Sequence, residues 1–458
     1  MMALKAWTIV VAFATVVVVR PVAAQQKDGA VSLGHSALPA RLTAKDVAAI
    51  AAREAPAVMA ARREVEGSEA DKAVVNRARY PEVAVTARYS RLSSIPERLR
   101  TLSLPFPDGT SASLILPEFR NASSARVALV VPLTDAWLGL AANVEALGHV
   151  TEAKRLELAA MQAQVSFEAR SAFLFYRRAV GARRIAASAI EILSAQLEDQ
   201  EKRVRAGSAS GSTTLTFEAA RNAAAARLHI CEAETVAAEA AVRVFLPTSL
   251  SSVPFALEDE PSPLVPSEDI QNWPLLRAAL AAVSAADARV SAETLSMLPH
   301  LALVAGASVD APSQRAFAAS KLEAVPSWDI TLQLEWNLSS LTVGAAKKDR
   351  AIADREALRF RAEEARRRLE AQRIGALAAK SGAQSRVAAA EAGVATARKL
   401  SAARRAELAS GFATPLDLTA AESEHVRAEL EQEDAVLELR VAEARLAFVG
   451  GYIELASN

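Results

Sequence analysis

Histidine and cysteine are the residue types here best suited to metal binding or nucleophilic chemistry. A helical zinc site of the HExxH type needs two histidines four residues apart, and no two histidines in this chain are that close. The five histidines are His35, His149, His229, His300 and His425. The single cysteine, Cys231, excludes an intramolecular disulfide and a CxxC motif. Its place inside an apolar helical pattern predicts a packed thiol.

Two glycine-rich segments have the composition of phosphate-binding loops. Residues 207–212 read Gly-Ser-Ala-Ser-Gly-Ser and lack the lysine that a P-loop places on the phosphates, so they predict a turn. Residues 411–413 likewise predict a turn. The sequence therefore predicts no catalytic residue, no metal site and no cofactor, and we do not expect an enzyme.

Composition favours long helices. Of the 458 residues, 51% are apolar and only 5% aromatic, with few glycines and prolines for this length, which is typical of helical assemblies rather than β-sandwiches. The 53 basic and 53 acidic residues give a net charge of zero. We therefore expect no nucleic-acid partner.

The first 24 residues have the pattern of a secretory signal peptide. Lys5 precedes an apolar run from Ala6 to Val19, and small residues come before a cleavage position after Ala24. No later run approaches 18 apolar residues, so no transmembrane helix is predicted in the mature chain. If the mature chain enters a membrane, a closed β-barrel is the remaining architecture.

The mature chain reads as two similar halves. Its predicted segments are an N-terminal extension at 25–40, a first repeat at 41–246, a Pro- and Ser-rich linker at 247–267, a second repeat at 268–450 and a tail at 451–458. Each repeat contains an initial helix, two strands of alternating pattern and two further helices. The predicted strands are about 82–91 and 124–133, then about 300–310 and 328–338.

The long helices carry the strongest pattern. Residues 135–205 and 343–409 contain no proline, and the first initial helix, 43–79, has Pro56 at a predicted kink. A helix of about 70 residues is about 105 Å long, more than the diameter of a globular domain, and must pack in a coiled-coil-like assembly. Aligning Thr213 with Thr414 gives a repeat offset of 414 − 213 = 201 residues.

Four strands per chain are too few for a transmembrane barrel, since known ones begin at about eight. Each predicted strand has about ten residues, the length that a tilted strand needs to cross an outer membrane. Strands that span a membrane would therefore have to be shared within an oligomer.

At this point the chain resembles the TolC-like outer-membrane efflux protein family (outer membrane factors), over about residues 40–455. The resemblance rests on the signal peptide, the two-fold repeat and four short motifs. These motifs are Arg79-Tyr80-Pro81, Leu298-Pro299, the segment from Val131 to Asp135, and the segment from Gly411 to Leu418.

The resemblance implies a fold, a place and a function. The fold is mainly α with a small β portion: a long α-helical coiled-coil barrel, plus four strands per protomer in a 12-stranded outer-membrane β-barrel shared by a homotrimer. The implied function is a passive exit duct of a tripartite efflux or type I secretion system, in the outer membrane and extending into the periplasm. Its partners would be a periplasmic adaptor protein, an inner-membrane pump and outer-membrane lipid.

The resemblance also implies which residues matter. Pro81 and Pro299 start the first strand of each repeat, and two helical turns form the periplasmic entrance and adaptor-docking site. The turn residues are Gly207, Gly211, Thr216, Gly411, Thr414 and Asp417. Asp417 either caps its helix only, or caps it and also gives a trimer a ring of three carboxylates that favours cations. At the offset of 201, Thr216 takes the place of this acid in the first repeat.

An alternative interpretation is a periplasmic helical scaffold or adaptor without a membrane barrel. It explains the signal peptide and the helices but not the paired strands with a long loop, residues 93–123, between them. In the duct interpretation that loop faces the outside of the cell, and in the scaffold interpretation it does not. A secreted enzyme is a third alternative, disfavoured by the lack of any catalytic constellation.

Overall fold

The computed structural model describes residues 41–450, except 98–99, 108, 116–117, 119, 209, 251, 258–272, 313–324 and 337. The predicted signal peptide, N-terminal extension and C-terminal tail lie outside the described residues, as does part of the predicted linker. The chain divides into two units. One contains Asp71–Ala146 and Asp287–Ile352, and the other contains Leu38–Ala70, Leu147–Ala286 and the chain from Ala353 onward.

Helices make up most of the described chain, with a small portion of sheet. In chain order the elements are α1 (Ala44–Glu54), α2 (Pro56–Arg77), β1 (Glu82–Arg91), β2 (Thr101–Pro105), β3 (Ser111–Ile115), β4 (Asn121–Pro132), α3 (Thr134–Trp137), α4 (Gly139–Arg205), α5 (Gly211–Arg243), α6 (Pro274–Leu295), β5 (His300–Ala311), β6 (Val325–Glu335), α7 (Ser339–Ala409) and α8 (Pro415–Val449).

The first unit contains a four-stranded antiparallel sheet in the order β1-β4-β5-β6. Its central pair, β4 and β5, joins the two halves of the sequence and aligns Val127 with Ala307. Strand β6, Val325–Glu335, begins and ends three residues earlier in the sequence than the predicted strand 328–338. It ends at Glu335 because Glu335 lies opposite His300, where β5 begins, and no partner backbone remains for the residues that follow.

A second sheet, the hairpin of β2 and β3, lies inside the predicted loop 93–123. Its turn closes through the N–H of Phe106, which donates to the carbonyl of Thr110 at 2.8 Å, and Gly109 takes a φ of +82° that favours glycine. The sequence analysis did not predict this hairpin, although the Thr-Leu-Ser-Leu stretch from Thr101 alternates with period two. Asp108, beside Gly109, lies outside the described residues.

The second unit is helical, and its main core packs α1 and the first turn of α2 against α4. The side chain of Thr43 accepts from the N–H of Asp46, and the Asp46 carboxylate accepts from the Thr43 N–H, so a capping box starts α1. Pro56 starts a new helix instead of kinking one, because Ala55 is extended and proline suits the first helical position. The largest fully buried members of this core are Leu42, Val47, Val58, Phe173 and Val242.

Candidate functional site

The two predicted turns of the helical unit have the same backbone geometry. After α4, the N–H of Gly207 donates to the carbonyl of Val204 at 3.0 Å, and the N–H of Ser208 donates to that of Arg203 at 2.9 Å. After α7, the corresponding bonds run from Gly411 to Leu408 at 3.2 Å and from Phe412 to Glu407 at 2.8 Å. Both patterns are Schellman motifs.

Glycine is required in both turns by the backbone angle. Gly207 has a φ of +75° and Gly411 a φ of +82°, in the left-handed region where a Cβ is strained. The two glycines, which end α4 and α7, are therefore the residues by which the sequence indicated the position of both turns.

The helix that follows each turn starts with a capping residue, and the two caps correct the repeat alignment. Ser210 caps α5 and Thr414 caps α8, so the offset is 414 − 210 = 204 residues, not 201. Gly211 is then the first residue of α5, and Thr213, not Thr216, is the structural counterpart of Asp417. The alignment of Thr213 with Thr414 was wrong because it paired two residues of the same type. The residue that caps α5, as Thr414 caps α8, is Ser210.

Asp417 forms a capping box with Thr414. The Asp417 Oδ2 accepts from the Thr414 hydroxyl at 2.6 Å and from its N–H at 2.9 Å, and the Asp417 N–H donates to the Thr414 hydroxyl at 3.2 Å. The bond from the Thr414 hydroxyl, and to a smaller extent the bond from the Thr414 N–H, hold the pKa of the Asp417 carboxyl below its ordinary value. The cap is therefore observed, and the additional pore role of Asp417 stays a prediction.

A small apolar core joins the four helices next to the turns. Leu197 of α4, Phe217 of α5 and Leu418 of α8 are buried together, and Leu408 of α7 packs against them. Apolar side chains are also exposed in the same region: Phe412 is 86% exposed, Leu416 67% and Leu215 65%. The fold thus brings both turns onto one core and leaves exposed apolar side chains beside them.

A buried carboxylate in the same region is a feature that the sequence analysis missed. Glu422 of α8 accepts from Arg405 Nη2 of α7 at 2.5 Å and from Gln196 Nε2 of α4 at 3.3 Å. Its side chain is only 7% exposed, so its charge needs these partners. No spacing pattern could have identified the cluster, since its members come from three helices.

The predicted strand starts lie beside one cavity of the first unit. Pro81 directly precedes β1 and Pro299 directly precedes β5, and a cavity of about 360 Å³ is bordered by their neighbours Tyr80, Glu82 and His300. Any functional role of the two prolines stays a prediction.

The described residues contain no group of three or more histidine, cysteine or acidic side chains that could hold a metal ion. Cys231 is buried, as predicted, among Ala182, Ala186 and Leu430. Within the described part of the chain, no helix has the length and apolarity needed to cross a membrane.

Comparison with known proteins gives a family and a fold. Residues 265–451 match the family model described as outer membrane efflux protein. The structure is similar to that of CusC, with a TM-score of 0.73 and 16% identity over 89% of this chain and 92% of that one. It is also similar to the open state of the MtrE outer membrane channel of Neisseria gonorrhoeae, with a TM-score of 0.70 and 18% identity over 90% and 89%.

A third similar structure is the CmeC outer membrane channel of Campylobacter jejuni, with a TM-score of 0.68 and 13% identity over 91% of this chain and 87% of that one. A comparison with curated protein sequences gives no significant match. At these identities the structural likeness establishes the fold. Together with the family match it confirms the predicted resemblance and the mainly helical fold with a small sheet.

Proposed function

We propose that this chain, an outer membrane efflux protein by its family match and fold, forms the exit duct of a tripartite efflux or type I secretion system. It conducts cargo passively, as a homotrimer, across the periplasm and the outer membrane. An inner-membrane pump supplies the energy, and a periplasmic adaptor joins the pump to the duct. The chain itself carries no bond chemistry.

The observation that carries the proposal is the division of the four-stranded sheet into an apolar and a polar face. On one face, large apolar side chains of both edge strands are more than half exposed; these are Val83, Val85, Tyr89, Ile330, Leu332 and Leu334. Through the observed register they share that face with Leu129 and Ala305. An exposed apolar surface of this kind is unusual in water and suits lipid.

The other face of the sheet is polar. It carries Thr86 and Arg88 of β1, Arg126 of β4, Asp310 of β5 and Asp329 of β6. Alternation of lipid-facing and lumen-facing residues is the pattern of strands that surround an aqueous channel. The sheet's polar face is therefore assigned to the lumen.

The two edges of the sheet support an oligomer. Strands β1 and β6 each pair with one neighbour, so their outer backbone groups have no strand partner in the described chain. Unpaired edges inside a membrane are costly. Three copies would supply 3 × 4 = 12 strands, and pairing β1 of each copy with β6 of the next would remove all edges.

The helical unit supplies the periplasmic part and the adaptor site. Phe412 of the second turn, Leu416 of α8 and Leu215 of α5 are exposed beside the small core that the four helices share. We assign this surface, with Gly207, Gly411 and Asp417, to the entrance and to adaptor docking.

A cysteine-labelling experiment on intact cells of a Gram-negative host separates the duct from the periplasmic scaffold. Ser103→Cys places a thiol on the exposed β2 strand of the hairpin, and Ser208→Cys places one in the exposed turn after α4. The unmodified chain is the blank, since Cys231 is 3% exposed. A membrane-impermeant maleimide should label Ser103→Cys on intact cells and Ser208→Cys only after permeabilisation.

Each outcome decides between the two functions. Labelling of both variants only after permeabilisation would place the hairpin in the periplasm, which rejects the duct and supports the scaffold. Labelling of both variants on intact cells would contradict the assignment of the turns to the periplasm.

A further inference from the structure

One ion pair on the polar face of the sheet joins the two halves of the chain. Arg126 Nη2 of β4 lies 2.8 Å from Asp329 Oδ2 of β6, although β5 runs between the two strands. In the register of the sheet, Arg126 is opposite Ser308 of β5, and Asp329 is opposite Gly306. The two charged residues are 203 positions apart in the sequence.

The guanidinium crosses β5 at Gly306. A Cβ built on Gly306 would lie 2.5 Å from Arg126 Nη2 and 3.0 Å from Asp329 Oδ1. Glycine at this position therefore leaves the space that the pair occupies. The side chains of Arg126 and Asp329 are 41% and 31% exposed, so the pair also faces solvent.

The other charges in the middle of this face are bonded differently. Arg88 Nε donates to the hydroxyl of Ser90 at 3.2 Å, and Asp310 Oδ2 accepts from the hydroxyl of Ser308 at 3.2 Å. Neither contact neutralises a charge. Arg126 and Asp329, by contrast, form an ion pair.

We propose that the Arg126–Asp329 pair sets the ion selectivity of the pore at the level of the sheet, by cancelling two rings of opposite charge. The inference rests on the proposed function, because it needs the polar face to line the lumen of a trimer. In such a trimer, the three copies of the pair place three arginines and three aspartates at one level of the lumen. Because these charges cancel, both cations and anions pass. Removal of one partner leaves three uncompensated charges, which act as the charged rings of selective pores do.

The test is the reversal potential of the purified full-length protein in planar bilayers, under a gradient of potassium chloride. Asp329→Asn should shift the K⁺/Cl⁻ permeability ratio toward chloride, and Arg126→Gln should shift it toward potassium. Three uncompensated charges about one Debye length from the ion path, which is about 10 Å at about 0.1 M salt, attract one ion and repel the other, so we expect the ratio to change on the order of fivefold. The double variant should return close to the ratio of the unmodified protein.

Two controls separate charge from structure. Gly306→Ala displaces the guanidinium but keeps both charges, so its permeability ratio should stay near that of the unmodified protein. Arg126→Lys keeps the charge without the planar guanidinium and should also keep the ratio. A shift in Gly306→Ala as large as that in Asp329→Asn would assign the pair a structural role and overturn the proposal.

The outcomes also distinguish this inference from the proposed function. If the unmodified protein forms no channel, the proposed function fails. If it forms channels and neither single variant changes the permeability ratio, the inference fails and the duct stands. If neither single variant forms channels while the unmodified protein does, the pair serves assembly, and its assignment to selectivity is overturned.

Discussion

Replacement of Phe173 by alanine tests how the helical unit is held together. Phe173 of α4 is 2% exposed and contacts the core that also contains Val47 and Val58. Its ring lies edge-on to Phe255, with centroids 5.7 Å apart, and 6.3 Å from that of Tyr176. Removal of the ring leaves a cavity between α1, α4 and the segment after α5.

A buried Phe→Ala change costs about 3–5 kcal/mol, because lost burial and the remaining cavity both contribute. At about 1.4 kcal/mol per tenfold change, this equals a factor of about 100 to 5,000 in an opening equilibrium. Hydrogen exchange of the full-length protein in detergent should therefore show amide protection in α1 (Ala44–Glu54) reduced by that factor.

The same helix offers a matched control. Phe175 lies two residues from Phe173 and is 53% exposed in the single chain, so Phe175→Ala should change protection in α1 by less than about threefold. A loss below tenfold in Phe173→Ala, or an equal loss in both variants, would refute the view that this core holds α1 against α4.

Two further predictions concern the turns. Because the folded pKa of Asp417 is lowered, the stability from its capping box is present above about pH 4 and is lost as the pH falls through the lowered value. Amide protection at the start of α8 should therefore fall on acidification, and Asp417→Asn should remove this pH step, while a step that persists in the variant would contradict the assignment. Gly207→Ala and Gly411→Ala should each destabilise by about 1–2 kcal/mol because of their positive φ. The control Gly393→Ala, in open space on α7, should stabilise by up to about 1 kcal/mol, so equal effects at the three glycines in thermal unfolding would contradict the strain argument.

Local patterns predicted the helices and most strands well. Strand β1 has the predicted bounds 82–91, and the proline-free runs became α4 and α7 within a few residues of the predicted ends. These elements were predictable because periodicity and the lack of proline act over neighbouring residues. The β2–β3 hairpin was missed because its strands of five residues each lie in a segment rich in proline and serine, the composition of a loop.

The candidate site was predictable only in part. The glycines at 207 and 411 identified both turns, because a left-handed backbone leaves a residue-type signature. The equivalence of the two helix starts was not predictable, since both serine and threonine cap helices and similarity of type favoured Thr213 over Ser210. The cluster of Glu422, Arg405 and Gln196 left no signature, because its members lie on three helices.

By itself, the sequence determined the fold class of the chain: mainly helical, with two similar halves and strands of alternating character. Such properties depend on composition and on contacts between near neighbours. Tertiary structure decided which residues meet. The order β1-β4-β5-β6 places strands of the two halves side by side, and its register separates the apolar from the polar face. That register also brings Arg126 and Asp329 together across Gly306, because pairing between distant strands depends on the whole sheet.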